Sequence, residues 1–367
     1  MAMRWIAALI GFALVAFVGI ALAGGIPDPG EADPITFAYQ AVANVLALIL
    51  GIALLAAIAV FLVVERVQTG ANPSLATQFT TRTLILMPIA IALNIILGQT
   101  VTAALKIPIY LDSIGTILVG ILAGPLAGAA TGLLANVLWA YVIPPPFQYP
   151  PAAAFAIVAA VIGLIAGIAG GQGFLRPRLN RPVGQLVVGG LVTAGIIAVL
   201  AYVGYLGYTA VLGPANLAPT SDNAIFVILG WVALALVLAT VAGLFALLIL
   251  RRDLTATYVV MVGMVTGIVA ALISAPIAAG VFGGVTGAGT DFLVAAFRQG
   301  GLDIGAATLG QGLISDPIDK ITTFFVVYLI LTAMARRMKA RFPQGEHLLE
   351  ETGRPTTEEG EWRGASA

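Results

Sequence analysis

Of the chain's 367 residues, 60% are hydrophobic and only 9% are charged, acidic and basic residues are equal in number, and mean hydropathy is +1.05. Cysteine is absent and the single histidine, His347, lies in a charged C-terminal stretch, which excludes a disulfide framework, thiolate chemistry and Cys/His metal sites. Apolar runs recur at about the length that a hydrocarbon core of roughly 30 Å requires, which predicts an all-α, polytopic transmembrane helical bundle.

The first run, "MAMRWIAALIGFALVAFVGIALAGG", has a basic start and Ala21-Leu22-Ala23 before Gly24, which also describes a signal peptide. Its apolar stretch is longer than a usual signal core, and this favours an uncleaved helix over 5–23. With a second run at 37–64 it forms an extra helical pair within residues 1–70. A membrane core over 71–336 follows, with expected spans at 83–105, 111–123, 125–143, 152–171, 184–208, 224–250, 256–281 and 318–336, about ten in all. Within that core, 184–250 reads as an additional helical pair. Residues 337–367, charged and poor in apolar side chains, read as a disordered cytoplasmic tail.

Between the runs, "GGIPDPGEADP", "VIPPPFQYPP" and "GPANLAPTSDN" are rich in Pro, Gly and Asn and predict short rigid turns. No soluble domain is left to house an enzyme or an ATPase, so neither catalysis, a cofactor nor a nucleic-acid partner is expected. The glycine-rich "GGVTGAGTD" at 283–291 lacks the Lys and the preceding strand of a phosphate-binding loop. Placing both termini in the cytoplasm and alternating sides puts Arg4, Arg66, Arg82, Arg176, Arg178, Arg181, Arg251, Arg252, Arg336, Arg337, Lys339, Arg341, Arg354 and Arg363 inside. Only Lys106, Arg298 and Lys320 fall outside, as the positive-inside rule demands, and 282–317 then stays on the outer side or dips in from it.

The leg at 111–123 is too short to span. From Asp112 to Ala123 is twelve residues, about 18 Å at 1.5 Å per residue against roughly 30 Å of hydrocarbon. If Gly124-Pro125 turns at the cytoplasmic face, Asp112 lies below the outer surface, where its charge needs a partner, water or a ligand. Lys106 is a candidate partner, and Ser113 and Thr116 follow one turn inward. The plain alternative is that Asp112 caps the helix, accepting from the amide of Gly115 or a neighbour. Beyond the turn, Gly128 and Gly132, with Ala127, Thr131 and Ala135, and then Gly163, Gly167 and Gly171, form small-residue rows suited to close helix packing. Asn136, in the outer half of its helix, needs either a helix-to-helix hydrogen bond or a ligand.

A mid-span Pro in "LILMPIAIALNIILGQ", then "KIPIYLDSIGTIL", the hairpin "GILAGPLAGAATGLLANVLW", a Pro-rich loop, "ISAPIAAGVFGGVTGAGTDF" and "LISDPIDKITTFFVVYLIL" together resemble the substrate-binding S components of energy-coupling-factor transporters. The resemblance covers roughly 83–172 and 256–336. It implies a six-helix binding protein of a bacterial cytoplasmic membrane that takes a vitamin-like small molecule from outside and docks on a transmembrane coupling subunit with two cytosolic ATPases. The chain departs from that pattern in its two extra helical pairs and in offering only Ala90 and Ala92 where a docking Ala-xxx-Ala is expected.

The matching positions nominate Gln99 near the outer end of the first core helix; Asp112, Ser113 and Thr116; Gln148 and Tyr149 in the outer loop; Thr286, Thr290 and Asp291; and Asp316, Asp319 and Lys320 at the start of the last helix. Plainer roles stand beside these: turn formation for Thr286 and Thr290, an interfacial aromatic belt for Tyr149 with Tyr202, Tyr205 and Tyr208, and a helix cap for Asp316 before Pro317. Asp319 and Lys320 are as readily solvated. The expected function is a binding component for uptake. The alternatives are an ion-coupled secondary transporter, which needs a titratable residue deep in the bundle, and a structural or sensory membrane subunit.

Overall fold

A computed structural model describes residues 2–23, 37–100, 109–212 and 224–350. Lys106, the connections at 24–34 and 213–223, and residues 351–367 lie outside the described residues. The described chain is helical and contains no β-strand. Its helices are α1 Ala2–Leu22, α2 Phe37–Thr69, α3 Pro73–Gln78, α4 Thr81–Leu97, α5 Ile114–Ala123, α6 Pro125–Tyr141, α7 Ala156–Gly171, α8 Val183–Leu212, α9 Ala224–Leu250, α10 Thr255–Phe282, α11 Asp291–Gln299, α12 Ile304–Ala333 and α13 Arg336–Lys339. Each of the ten expected segments overlaps one of these helices. Four stretches, Leu48–Thr69, Thr81–Thr100, Val183–Tyr205 and Thr255–Phe282, are long and apolar enough to cross a membrane.

The α5–α6 hairpin organises the core. Gly124 adopts φ 124° and ψ 172°, a conformation open to glycine, and Pro125 starts α6 where its missing N–H costs nothing. Gln78, at the end of α3, reaches the turn and its Oε1 accepts from Leu126 N at 2.8 Å, serving as a cap supplied from another helix. The legs run antiparallel: Gly128 lies against the Gly120 backbone and Gly132 against Thr116, both pairs centred on the turn. The small-residue rows pack against each other inside the protein. A Cβ on Gly163 would lie 2.3 Å from the Gly128 carbonyl oxygen, and one on Gly132 at the same distance from the Ala159 oxygen, so α6 and α7 touch backbone to backbone.

The last helix is longer than the sequence indicates. Instead of beginning at 318, α12 starts at Ile304, where the Asp303 side chain caps it by accepting from Ala306 N at 2.9 Å. Asp316 is therefore no cap, and Pro317 sits inside the helix. The helix survives its proline because α10 packs along it closely: a Cβ on Gly267 would stand 2.3 Å from the Pro317 Cα, and one on Gly263 2.6 Å from the Ile321 Cα. The segment 282–317 thus holds α11 and the first half of α12.

Basic residues gather at one end of the bundle. There Arg4 pairs with the buried Glu65 at 2.7 Å, joining α1 to α2, and Arg82 donates to the Arg341 carbonyl at 3.1 Å. Asp253 accepts from Arg178 N and Thr255 N, each at 3.0 Å, and from the Tyr328 hydroxyl, tying the α7–α8 connection to α10 and α12. Residues 337–350, expected to begin a disordered tail, are folded against this end. Gln344 N donates to the Leu122 carbonyl at 2.9 Å and Leu348 is buried, so its apolar anchor outweighs the charge around it.

Candidate functional site

At the opposite end, the short leg leaves a recess. Because α6 has seventeen residues against ten in α5, the start of α5 stops about 10 Å short of the end of α6 away from the turn. The space is bounded by residues 110–113, by α6, α7, α10 and α12, and by the loops before α7 and α11. It forms a cavity of about 100 Å³.

The start of α5 is held from two sides. From α4, the buried Asn94 accepts from Gly115 N and donates to Thr116 Oγ1, both at 2.7 Å. From α12, the buried Asp319 accepts on one oxygen from Tyr110 N at 3.0 Å and Leu111 N at 2.9 Å, while its other oxygen meets the Lys320 ammonium. Asn94 therefore takes the Gly115 amide that the plainer, capping alternative gave to Asp112, and the Asp112 side chain is left facing the cavity, 29% exposed. Lys320 Nζ also donates to Ser113 Oγ at 3.0 Å and lies 4.0 Å from Asp112 Oδ1.

A second set of contacts closes the other wall. The Tyr110 hydroxyl lies 2.8 Å from Thr290 Oγ1 and accepts from Gln311 Nε2 at 3.3 Å. Gln311 continues to Ser315, whose hydroxyl reaches Asp316 Oδ1 at 3.4 Å, and Ser274 on α10 donates to Asp316 Oδ2 at 3.3 Å. Asp291, in the first turn of α11, accepts from Thr286 Oγ1 at 2.8 Å and Gly287 N at 2.7 Å, fixing the glycine-rich loop as wall. The Tyr149 hydroxyl donates to the Thr286 carbonyl at 2.5 Å. Burial, with Asp291 nearby, pushes the Tyr149 phenol well above its ordinary range and keeps it a neutral donor. Its ring lies 4.9 Å from that of Trp139.

Of the nominated residues, Asp112, Ser113, Asn136, Tyr149, Thr286, Asp291, Asp316 and Lys320 line the cavity. Thr290 and Asp319 stand just behind it as supports. Thr116 is turned to Asn94, Gln148 to the Ala140 carbonyl at 2.8 Å, and Gln99 to Trp139 Nε1 at 3.3 Å, so these three do not line it. Nor are Asp319 and Lys320 solvated; both are buried. The sequence reading passed over Tyr110, Trp139, Ser274 and Gln311. Gln311 was legible in principle, since Gln311, Ser315 and Asp319 recur at i, i+4 and i+8 on one helical face.

No protein-family model, no curated protein and no solved structure matches this chain.

Proposed function

We propose that this chain is a multi-pass membrane protein of about ten spans that binds a vitamin-like small molecule in the cavity beside α5 and passes it inward as the binding component of an uptake system. Separate coupling and ATPase subunits would supply the energy, as the resemblance of its motif segments to S components implies. One observation carries the reading: charged, polar and aromatic side chains from four helices, α6, α10, α11 and α12, and from the segments before α5, α7 and α11 converge on one recess at the end of the bundle away from the α5–α6 turn. The second reading, ion-coupled transport, draws support from α12, where Asp316, Asp319 and Lys320 lie near the middle of a thirty-residue helix that contains a proline.

The purified chain alone, reconstituted into liposomes, separates the two. A binding component retains a small molecule detectable by native mass spectrometry but accumulates none under a proton or sodium gradient. Gradient-driven accumulation would establish the second reading, and absence of any retained or bound molecule would leave only a structural or sensory role.

A further inference from the structure

Among the described residues, the charges on the cavity wall do not balance. Among the lining residues Lys320 is the sole cation, and its ammonium is engaged by Asp319, itself completed by two backbone amides. Asp291 is tied into its own loop by Thr286 and Gly287. Two carboxylates remain turned to the space. Asp112 reaches Lys320 only at 4.0 Å, and Asp316, 5% exposed, meets the Ser274 and Ser315 hydroxyls at 3.3 and 3.4 Å but no described cation within ion-pair distance. One half-buried carboxylate that shares its lysine with Asp319 and one buried carboxyl with only hydroxyl partners leave the wall short of positive charge, a shortfall met by a proton on the buried carboxyl or by a cation entering the site.

A second observation points to a polar occupant of the cavity, water or ligand. Asn136, 8% exposed, lines the same cavity, and its amide makes no hydrogen bond to a described residue. A buried amide in that position is satisfied by what fills the space. The aromatic faces of Trp139 and Tyr149 border it, surfaces suited to a flat ring or to a cation held against π-electron density.

Building on the binding reading above, we propose that the ligand is an organic cation: an ammonium or protonated nitrogen heterocycle carried on a flat apolar body. Its positive charge faces Asp112 and Asp316, its ring lies against Trp139 and Tyr149, and a polar edge meets Asn136.

The test uses the full chain in lipid nanodiscs and isothermal titration with matched probes, benzyl, indolyl and pyrimidinyl scaffolds each as the ammonium, the alcohol and the carboxylate, alongside native mass spectrometry of protein purified from its own membrane. The expected result is an ammonium probe, or a retained cationic molecule, bound at least tenfold more tightly than its neutral and anionic counterparts. Asp316→Asn and Asp112→Asn should each weaken it about tenfold or more while the apo protein remains folded by circular dichroism. An alcohol or carboxylate that binds as well as the ammonium, a retained neutral or anionic molecule, or full affinity in both variants overturns the charge assignment and leaves the binding role standing. No bound probe and no retained molecule of any charge overturns both.

Discussion

At the scale of single residues the structure separates side chains that face the cavity from those that hold its wall. Asp112 belongs to the first kind, because Asn94 takes the Gly115 amide that the capping alternative would have given it. Asp112→Asn should therefore leave thermal stability almost unchanged and weaken ligand binding, with Asp112→Ala behaving alike; a fall in stability for Asp112→Ala that Asp112→Asn does not share would return Asp112 to a capping role, since Asn and Asp cap equally well. Asp319 belongs to the second kind. It is fully buried, pairs with Lys320 and accepts from Tyr110 N and Leu111 N. Asp319→Asn keeps an acceptor but removes the lysine's closest counter-charge and leaves it Asp112 at 4.0 Å, so unfolding in detergent should be easier by about 1–3 kcal/mol. Wild-type stability would show that the ammonium finds compensation elsewhere. Asn94→Ala removes two buried hydrogen bonds, one of them to a backbone amide, and should cost about 1–3 kcal/mol in the same assay. That cost, unlike the effect of Asp112→Asn, should appear whether or not ligand is present.

Helices and turns were legible in the sequence where one local signal decided them. The Gly124-Pro125 turn follows from length and from two residues with fixed conformational demands, and the hairpin emerged as expected, although α5 begins at Ile114 and leaves Asp112 and Ser113 before it rather than on it. Gly124→Ala should destabilise the protein by about 1–3 kcal/mol, because alanine rarely adopts φ 124° and ψ 172°. Its Cβ would also meet the Gln78 side chain at 2.6 Å. Adding Gln78→Ala removes that clash but not the backbone strain, and it leaves Leu126 N without its acceptor, so the double variant should be no more stable than the single one by thermal unfolding. Where tertiary packing decided, local reading failed. Asp316-Pro317 has the form of a helix start, yet α10 supports a helix running straight through it; that misreading left Gln311 on a segment expected only to stay on the outer side or dip in from it. Residues 337–350 look disordered by charge alone, yet one apolar side chain, Leu348, and the Gln344–Leu122 hydrogen bond dock them. Asn94 shows the same limit inside a helix: its two partners lie 21 and 22 residues away.

For the whole molecule, the arrangement of charge and cavity makes one demand of the membrane. Arg82, Arg176, Arg178 and Arg341 meet the turn of the hairpin, the end of α7 and the start of α10 at one end, whereas the cavity, Trp139 and Tyr149 lie at the other. Arginine is retained preferentially on the cytoplasmic side, so a bundle in this orientation offers its cavity to the outside and its folded C-terminal segment to the cytosol. The absence of cysteine permits a direct test with single introduced thiols. Gln148 lies in the loop over the cavity end and Arg341 is exposed at the basic end. In intact cells, Gln148→Cys should react with a membrane-impermeant maleimide, while Arg341→Cys should react only after permeabilisation. Labelling of both from the same side would mean that the chain between them crosses the membrane an even number of times, which an antiparallel hairpin with its turn beside residue 344 does not allow. Labelling with the sides exchanged would keep the fold but turn the cavity toward the cytosol, and a role in uptake from outside would then fail.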